Sequence, residues 1–128
     1  RLSGDWIRDR IGVYNFLTIL FLTSIISLFI LYSFDSILAA LCGFALLGIG
    51  TSAIIPIAYS LAGKTEGIDS GAAIAIVSIA VYGTFMAAPA TLGIIANNYG
   101  VNSIFFPILI IFLFILPIIF ASKRLFTK

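Results

Sequence analysis

Residues 103–121 read Ser-Ile-Phe-Phe-Pro-Ile-Leu-Ile-Ile-Phe-Leu-Phe-Ile-Leu-Pro-Ile-Ile-Phe-Ala, with no charged side chain anywhere in the run. A helix needs about 20 such residues, at 1.5 Å each, to cross about 30 Å of hydrocarbon. The run is apolar on every side, which in a membrane helix means lipid contact. Three more stretches upstream share its length and lack of charge: about 13–34, 36–62 and 71–96. The charged residues lie between them. Arg1, Asp5, Arg8, Asp9 and Arg10 open the chain, Asp35 stands alone, Lys64, Glu66 and Asp69 lie together, and Lys123, Arg124 and Lys128 close it. A charge at a span centre costs about 2.5–3.5 kcal/mol on insertion scales, which accounts for the avoidance. Barrel strands would be about 9–11 residues long and alternating, so the pattern predicts an all-α, polytopic membrane bundle of four transmembrane helices.

Composition agrees. The 128 residues are 62% hydrophobic and 9% charged, with a mean hydropathy of +1.23. Soluble domains run at about 45–50% apolar and about 25% charged. A soluble globule, a disordered tail and a nucleic-acid binder are thereby disfavoured. One cysteine and no histidine leave neither an internal disulfide nor a zinc site, and no cofactor is implied.

Lys and Arg set the expected sidedness. Four spans place both termini and the Lys64 loop on one side, and that side then holds all seven basic residues. The positive-inside rule makes it cytoplasmic. Residues 1–12 become a cytoplasmic loop and 122–128 a cytoplasmic tail. Asp35 and the segment Asn97-Asn98-Tyr99-Gly100-Val101-Asn102 become external turns. The opening residues are polar and lack a signal-peptide pattern, so the expectation is a piece of a longer polypeptide.

The spans differ in character. In the third, Ala72, Ala80, Gly83, Ala87 and Ala90 share one narrow arc at 100° per residue, a stripe that lets another helix approach closely. Roughly opposite lie Ser78, Tyr82, Phe85 and Pro89, the last unable to donate to the Phe85 carbonyl and therefore a kink candidate. In the second, Gly48, Ser52, Pro56 and Tyr59 share one arc, and Ala39, Gly43 and Gly50 another; Pro56 frees the Ser52 carbonyl. Irregular helices at membrane depth are tolerated where protein or a water-filled cavity covers them. Spans two and three are thus candidates to line a cavity or move, through Ser52, Tyr59, Ser78 and Tyr82, with kinks at Pro56 and Pro89. Gly43, Gly50, Gly83 and Ala87 are candidate helix-packing positions. Tight packing alone would produce the same stripes. Thr18, Thr23, Ser24 and Ser27 of the first span can bond back to their own helix and need no functional reading. Spans one and four read as supports, and Cys42 as a small apolar packing residue.

The opening Gly4-Asp5-Trp6-Ile7-Arg8-Asp9-Arg10-Ile11-Gly12 resembles the Asp-Arg-x-Gly loop of the major facilitator superfamily, through Asp9, Arg10 and Gly12. Gly4 stands one residue further from Asp9 than the usual spacing, with Asp5 between. Val13-Tyr14 replaces the basic pair that normally follows. Such departures suit the degenerate copy of the loop that links helices eight and nine. Gly48-Ile49-Gly50-Thr51-Ser52-Ala53-Ile54-Ile55-Pro56 and Ser60-Leu61-Ala62-Gly63-Lys64 resemble the tenth helix. Gly71-Ala72-Ala73-Ile74-Ala75, Tyr82-Gly83, Ala88-Pro89 and Gly93 resemble the eleventh. The resemblance covers the chain as helices nine to twelve, part of a C-terminal half, and is closest to a bacterial branch related to sugar permeases.

The resemblance implies a secondary active transporter moving a small solute by alternating access, in the bacterial inner membrane. Its partners would be the lipid bilayer, the remaining helices of the same transporter and an unidentified small-molecule substrate. It implies that helices ten and eleven line the cavity while nine and twelve are peripheral. The loop, through Asp5, Asp9, Arg10 and Gly12, would serve as a cytoplasmic gating motif. Alternatives of other classes are a complete four-helix multidrug exporter and a non-transporting membrane scaffold subunit. The exporter would carry a carboxylate in its first span and weak Lys/Arg bias; neither is present here. No catalytic constellation exists without histidine and with every carboxylate in a loop or turn, so no enzyme is expected.

Overall fold

The computed structural model describes residues 10–121. They are helical, with no strand among them, in five α-helices: α1 Val13–Ser33, α2 Ile37–Thr51, α3 Ile54–Ala62, α4 Ser70–Tyr99 and α5 Phe105–Ala121. A 3-10 turn, Val101–Ile104, leads into α5. Four segments are long and apolar enough to cross a membrane: Val13–Ser33, Ile37–Ala62, Ser70–Tyr99 and Val101–Ala121. The chain is a multi-pass membrane protein segment.

Local chemistry explains the boundaries. Gly12, with φ +86°, turns the chain just before α1, and its carbonyl accepts from Phe16 N at 3.0 Å. Positive φ with an extended ψ (148°) is a backbone region essentially reserved for glycine, so glycine suits this corner. After α1 the chain becomes extended at Phe34 (φ −123°, ψ 120°). The Ser36 hydroxyl caps α2 by accepting from Ala39 N at 3.1 Å, and the Asp69 carboxylate caps α4 by accepting from Ala72 N at 3.1 Å. Helix α4 continues through Asn97, Asn98 and Tyr99, which the sequence reading put in an external turn. It stops at Gly100 (φ 90°), the first residue free to take a positive φ. The turn shortens to Gly100 and the 3-10 segment, where the Ser103 hydroxyl bonds to Tyr99 O at 2.8 Å.

The described residues fall into two compact units. One contains α1, α2 and α5. Helix α1 is its centre: Phe16, Leu17, Leu20, Phe21, Leu28 and Leu31 are buried, and Ser24 and Ser27 are fully enclosed. Helix α2 runs back along α1 with glycines at the seam. A Cβ added at Gly43 would stand 2.6 Å from Leu31 Cδ2. One added at Gly50 would collide with Ser24 Oγ and lie 2.8 Å from Ser24 N. Backbones meet closely where side chains vanish, which is how helices gain dispersion contacts without a hydrophobic driving force between them. Thr18, Thr23 and Ser24 bond back to Tyr14, Ile19 and Leu20 carbonyls. Ser27 departs from the local expectation: its hydroxyl donates across the seam to Gly43 O at 2.6 Å. The close approach at glycine brings that carbonyl within reach.

Helix α5 lies on another side of α1 through ring pairs. Phe21 and Phe112 have centroids 5.1 Å apart, Tyr32 and Phe106 5.5 Å, and Tyr14 and Phe120 6.4 Å. Phe44 of α2 meets Phe105 edge-on at 6.0 Å. Such pairs contribute about 0.5–1.5 kcal/mol each beyond area burial. Pro107 sits in the first turn of α5, where no intrahelical donor is needed. Cys42 is exposed on α2 among the described residues.

The other unit contains α3, α4 and the 3-10 turn, with Ile57 and Ala73 buried. The segment after α3 is compact: a Cβ at Gly63 would rest 3.4 Å from Ser70 Oγ and 3.6 Å from Ile74 Cδ1.

Candidate functional site

The second apolar run does not form one helix. Helix α2 ends at Thr51, α3 begins at Ile54, and the run is interrupted at Ser52–Ala53 rather than merely bent at proline. Ser52 N turns back to Ile49 O, three residues earlier, at 3.4 Å, and Ser52 Oγ donates to the same carbonyl at 2.8 Å. Pro56 lies in the first turn of α3 and cannot supply an N–H to the Ser52 carbonyl. The sequence placed the irregularity at Pro56; the chain breaks at the residue whose carbonyl that proline orphans.

Of the four candidate cavity residues, Tyr59 and Ser78 come together. The Tyr59 hydroxyl donates to Ser78 Oγ at 3.1 Å, and Ser78 donates its own proton to Ile74 O at 2.9 Å. The order follows from the proton count: a serine hydroxyl has one proton, and once the helix carbonyl takes it, the oxygen accepts from tyrosine. Both residues are half-buried. Of the other two, Ser52 is exposed, its hydroxyl bound to its own helix. Tyr82, one turn beyond Ser78, is 67% exposed.

Met86 follows Tyr82 by a further turn and is 84% exposed, a residue the sequence reading passed over. Its signal was the i, i+4 spacing from Ser78 through Tyr82. Helix α4 is continuous through Pro89. Thr91 donates to Ala87 and Ala88 carbonyls nearby.

The small-residue stripe of α4 is bare: Ala72, Ala80, Gly83, Ala87 and Ala90 are exposed, and a Cβ at Gly83 would meet nothing within 4 Å. Gly43 and Gly50, by contrast, are filled by α1 as described above. Within the motif, Asp5 and Asp9 lie outside the described residues. Arg10 is exposed and Gly12 forms the positive-φ corner. Among the described residues no three His, Cys, Asp or Glu side chains gather as a metal would require. What Tyr59 and Ser78 offer is hydroxyl and aromatic chemistry on two helices, suited to hydrogen bonding and stacking.

Comparison with known proteins gives relatives by sequence. An uncharacterised MFS-type transporter of Yersinia pestis is 37% identical over 97 residues, 76% of this chain and 25% of that protein. The membrane protein MosC of Rhizobium meliloti is 29% identical over 102 residues, 80% of this chain and 25% of that protein. An uncharacterised transporter of Sinorhizobium fredii is 27% identical over 106 residues, 83% of this chain and 28% of that protein. The chain thus spans about a quarter of the length of these relatives. No family model and no solved structure matches.

Proposed function

We propose, for a chain that belongs to the major facilitator superfamily, that it forms the last four helices of a secondary active transporter moving a small solute by alternating access. The observation that carries this reading is the 37% identity to an MFS-type transporter across three quarters of the chain. Length supports it. If 97 residues are 25% of that relative, the relative has about 390, and 128 is about a third of it, the share of four helices in two six-helix halves.

In this reading α2 with α3 is the tenth helix and α4 the eleventh. Tyr59, Ser78, Tyr82 and Ser52 supply polar groups toward the solute path, and the Asp9-Arg10-Ile11-Gly12 loop gates the cytoplasmic side. Gly12 provides the corner by which such a loop enters its helix. Both ends lie in the cytoplasm of a bacterial inner membrane, where the seven basic residues belong. The four apolar segments carry no ionisable carboxylate in their interiors, so any coupling acid resides in the helices outside this chain.

The test is the complete coding frame, followed by transport in proteoliposomes. About eight further spans upstream are expected. The expressed protein should exchange solute across the bilayer, whereas the 128 residues by themselves should not. A frame that opens at or beside Arg1, or uptake catalysed by these four spans unaided, would overturn the reading.

A further inference from the structure

We propose that Tyr14 and Tyr32 of α1 are a pair of interfacial anchors: their phenols sit at the two lipid headgroup boundaries and together fix the depth of the α1–α2–α5 unit in the bilayer. The first support is where the hydroxyls fall along the helix. Tyr14 is the second residue of α1 and Tyr32 the last but one, while the rings between them, Phe16, Phe21 and Phe29, carry no hydroxyl. Eighteen residues separate the two tyrosines, about 27 Å of helix, against about 30 Å of hydrocarbon. Eighteen residues are also five helical turns, so both rings stand on one face of α1. Charged side chains follow just beyond each of them, Arg10 on one side and Asp35 on the other.

Packing supplies the second support. Helix α5 offers a phenylalanine to each tyrosine: Phe120 meets the Tyr14 ring edge-on, and Phe106 lies beside Tyr32. The pair between them, Phe21 with Phe112, has no polar atom. That middle pair is turned inward, with Phe21 7% exposed, whereas the outer pairs open outward: Tyr32, Phe106 and Phe120 are 43%, 48% and 52% exposed. Among the described residues the Tyr32 hydroxyl makes no hydrogen bond, and its ring contact is with Phe106. A phenol that rests its ring on a neighbouring helix and turns its hydroxyl out of the fold suits the layer of lipid carbonyls and water, where tyrosine and tryptophan gather. Each ring leans on α5, so the two helices take their depth together. Anchors of this kind, at both ends of a span, set which bilayer thickness fits it.

The experiment uses the full-length protein that contains this chain, in nanodiscs of monounsaturated phosphatidylcholines of increasing chain length, and reads the thermal midpoint in each. The parent should be most stable at one thickness. Combining Phe29→Tyr with Tyr32→Phe keeps the composition, uses an exposed position and moves the phenol three residues, about 4.5 Å, toward mid-span. The optimum should then fall by at least one step of the series. Tyr32→Phe alone keeps the ring pair with Phe106 and should reduce the spread between best and worst lipid about twofold, and Tyr14→Phe should do the same. Tyr32→Trp, which keeps an interfacial ring with a donor, should retain the parent's optimum. A parent equally stable at every thickness, or an optimum unmoved by the exchange, would overturn the proposal. Should the exchanged variant not fold, Tyr32→Phe decides. A midpoint lowered equally in every lipid would mean that the hydroxyl bonds another part of the protein, and that result overturns the anchor, as does a profile identical to the parent's. Flattening by Tyr32→Phe without flattening by Tyr14→Phe overturns the pair. The readout needs no transport, so its failure and failure of the carrier reading are separate results.

Discussion

Gly48 and Gly50 stand two residues apart on the same helix and have opposite surroundings. A methyl at Gly48 meets nothing within 4 Å, whereas at Gly50 it meets the Ser24 side chain and backbone. Gly50→Ala should therefore cost about 1–3 kcal/mol, the range for overpacking a filled site. Gly48→Ala should be neutral or slightly stabilising, since alanine is the better helix former. Thermal unfolding of the full-length protein in detergent checks both, and equal effects would reject the seam. Ser27→Ala removes the bond to Gly43 O and should cost about 0.6–1.7 kcal/mol. Ser24→Ala should cost less, because its bond goes to its own helix at Leu20 O. The same contrast shows what the sequence could tell. That glycines and hydroxyls populate spans one and two was plain. Which glycine is seated, and which serine reaches across, depends on how two helices rotate against each other, and no single span's wheel contains that.

Helix α4 poses the question at the scale of an element. Its caps are Asp69 and Gly100, which the sequence reading had placed only in a charge cluster and a turn, and its end moved from Ala96 to Tyr99 because asparagines tolerate a helical turn until a glycine offers the way out. Its faces are less easily read, because within these residues neither the small stripe nor most of the Tyr82 face has a partner. A bare stripe of Ala and Gly on a membrane helix is suited to close helix contact, while a phenol suits water or solute. In the full-length protein, Tyr82→Cys should therefore react with a water-soluble maleimide, and Ala80→Cys and Ala87→Cys should react several times more slowly. The reverse order would exchange the roles of the two faces. The interruption in the preceding span was legible in part. Pro56 announced an irregularity, but proline acts on the carbonyl four residues earlier, so the break shows itself at Ser52.

For the molecule as a whole, charge placement carried most of the information. The gaps between charged clusters became the four span-length segments, because a charge in hydrocarbon is costly wherever it falls. Ranking the spans by importance was harder. The first span, read as a support, is the most enclosed of the four among the described residues, with α2 and α5 both packed on it. A helix surrounded by neighbours and a helix surrounded by lipid can both be apolar throughout, so composition does not separate them. Sidedness, in contrast, makes a prediction from charge alone. Reporter fusions in the full-length frame should place Asp35 and Asn102 outside the cytoplasm and Lys64 and the terminus at Lys128 within it. Lys64→Gln should leave that arrangement unchanged, because six basic residues remain on the same side against none on the other. Introducing lysines at Ser33 and Asp35 should instead reduce correct insertion, since they place positive charge on the side that has none. Fusions reporting Lys64 and Lys128 on opposite faces would mean that one of the four apolar segments lies on or within the bilayer without crossing it.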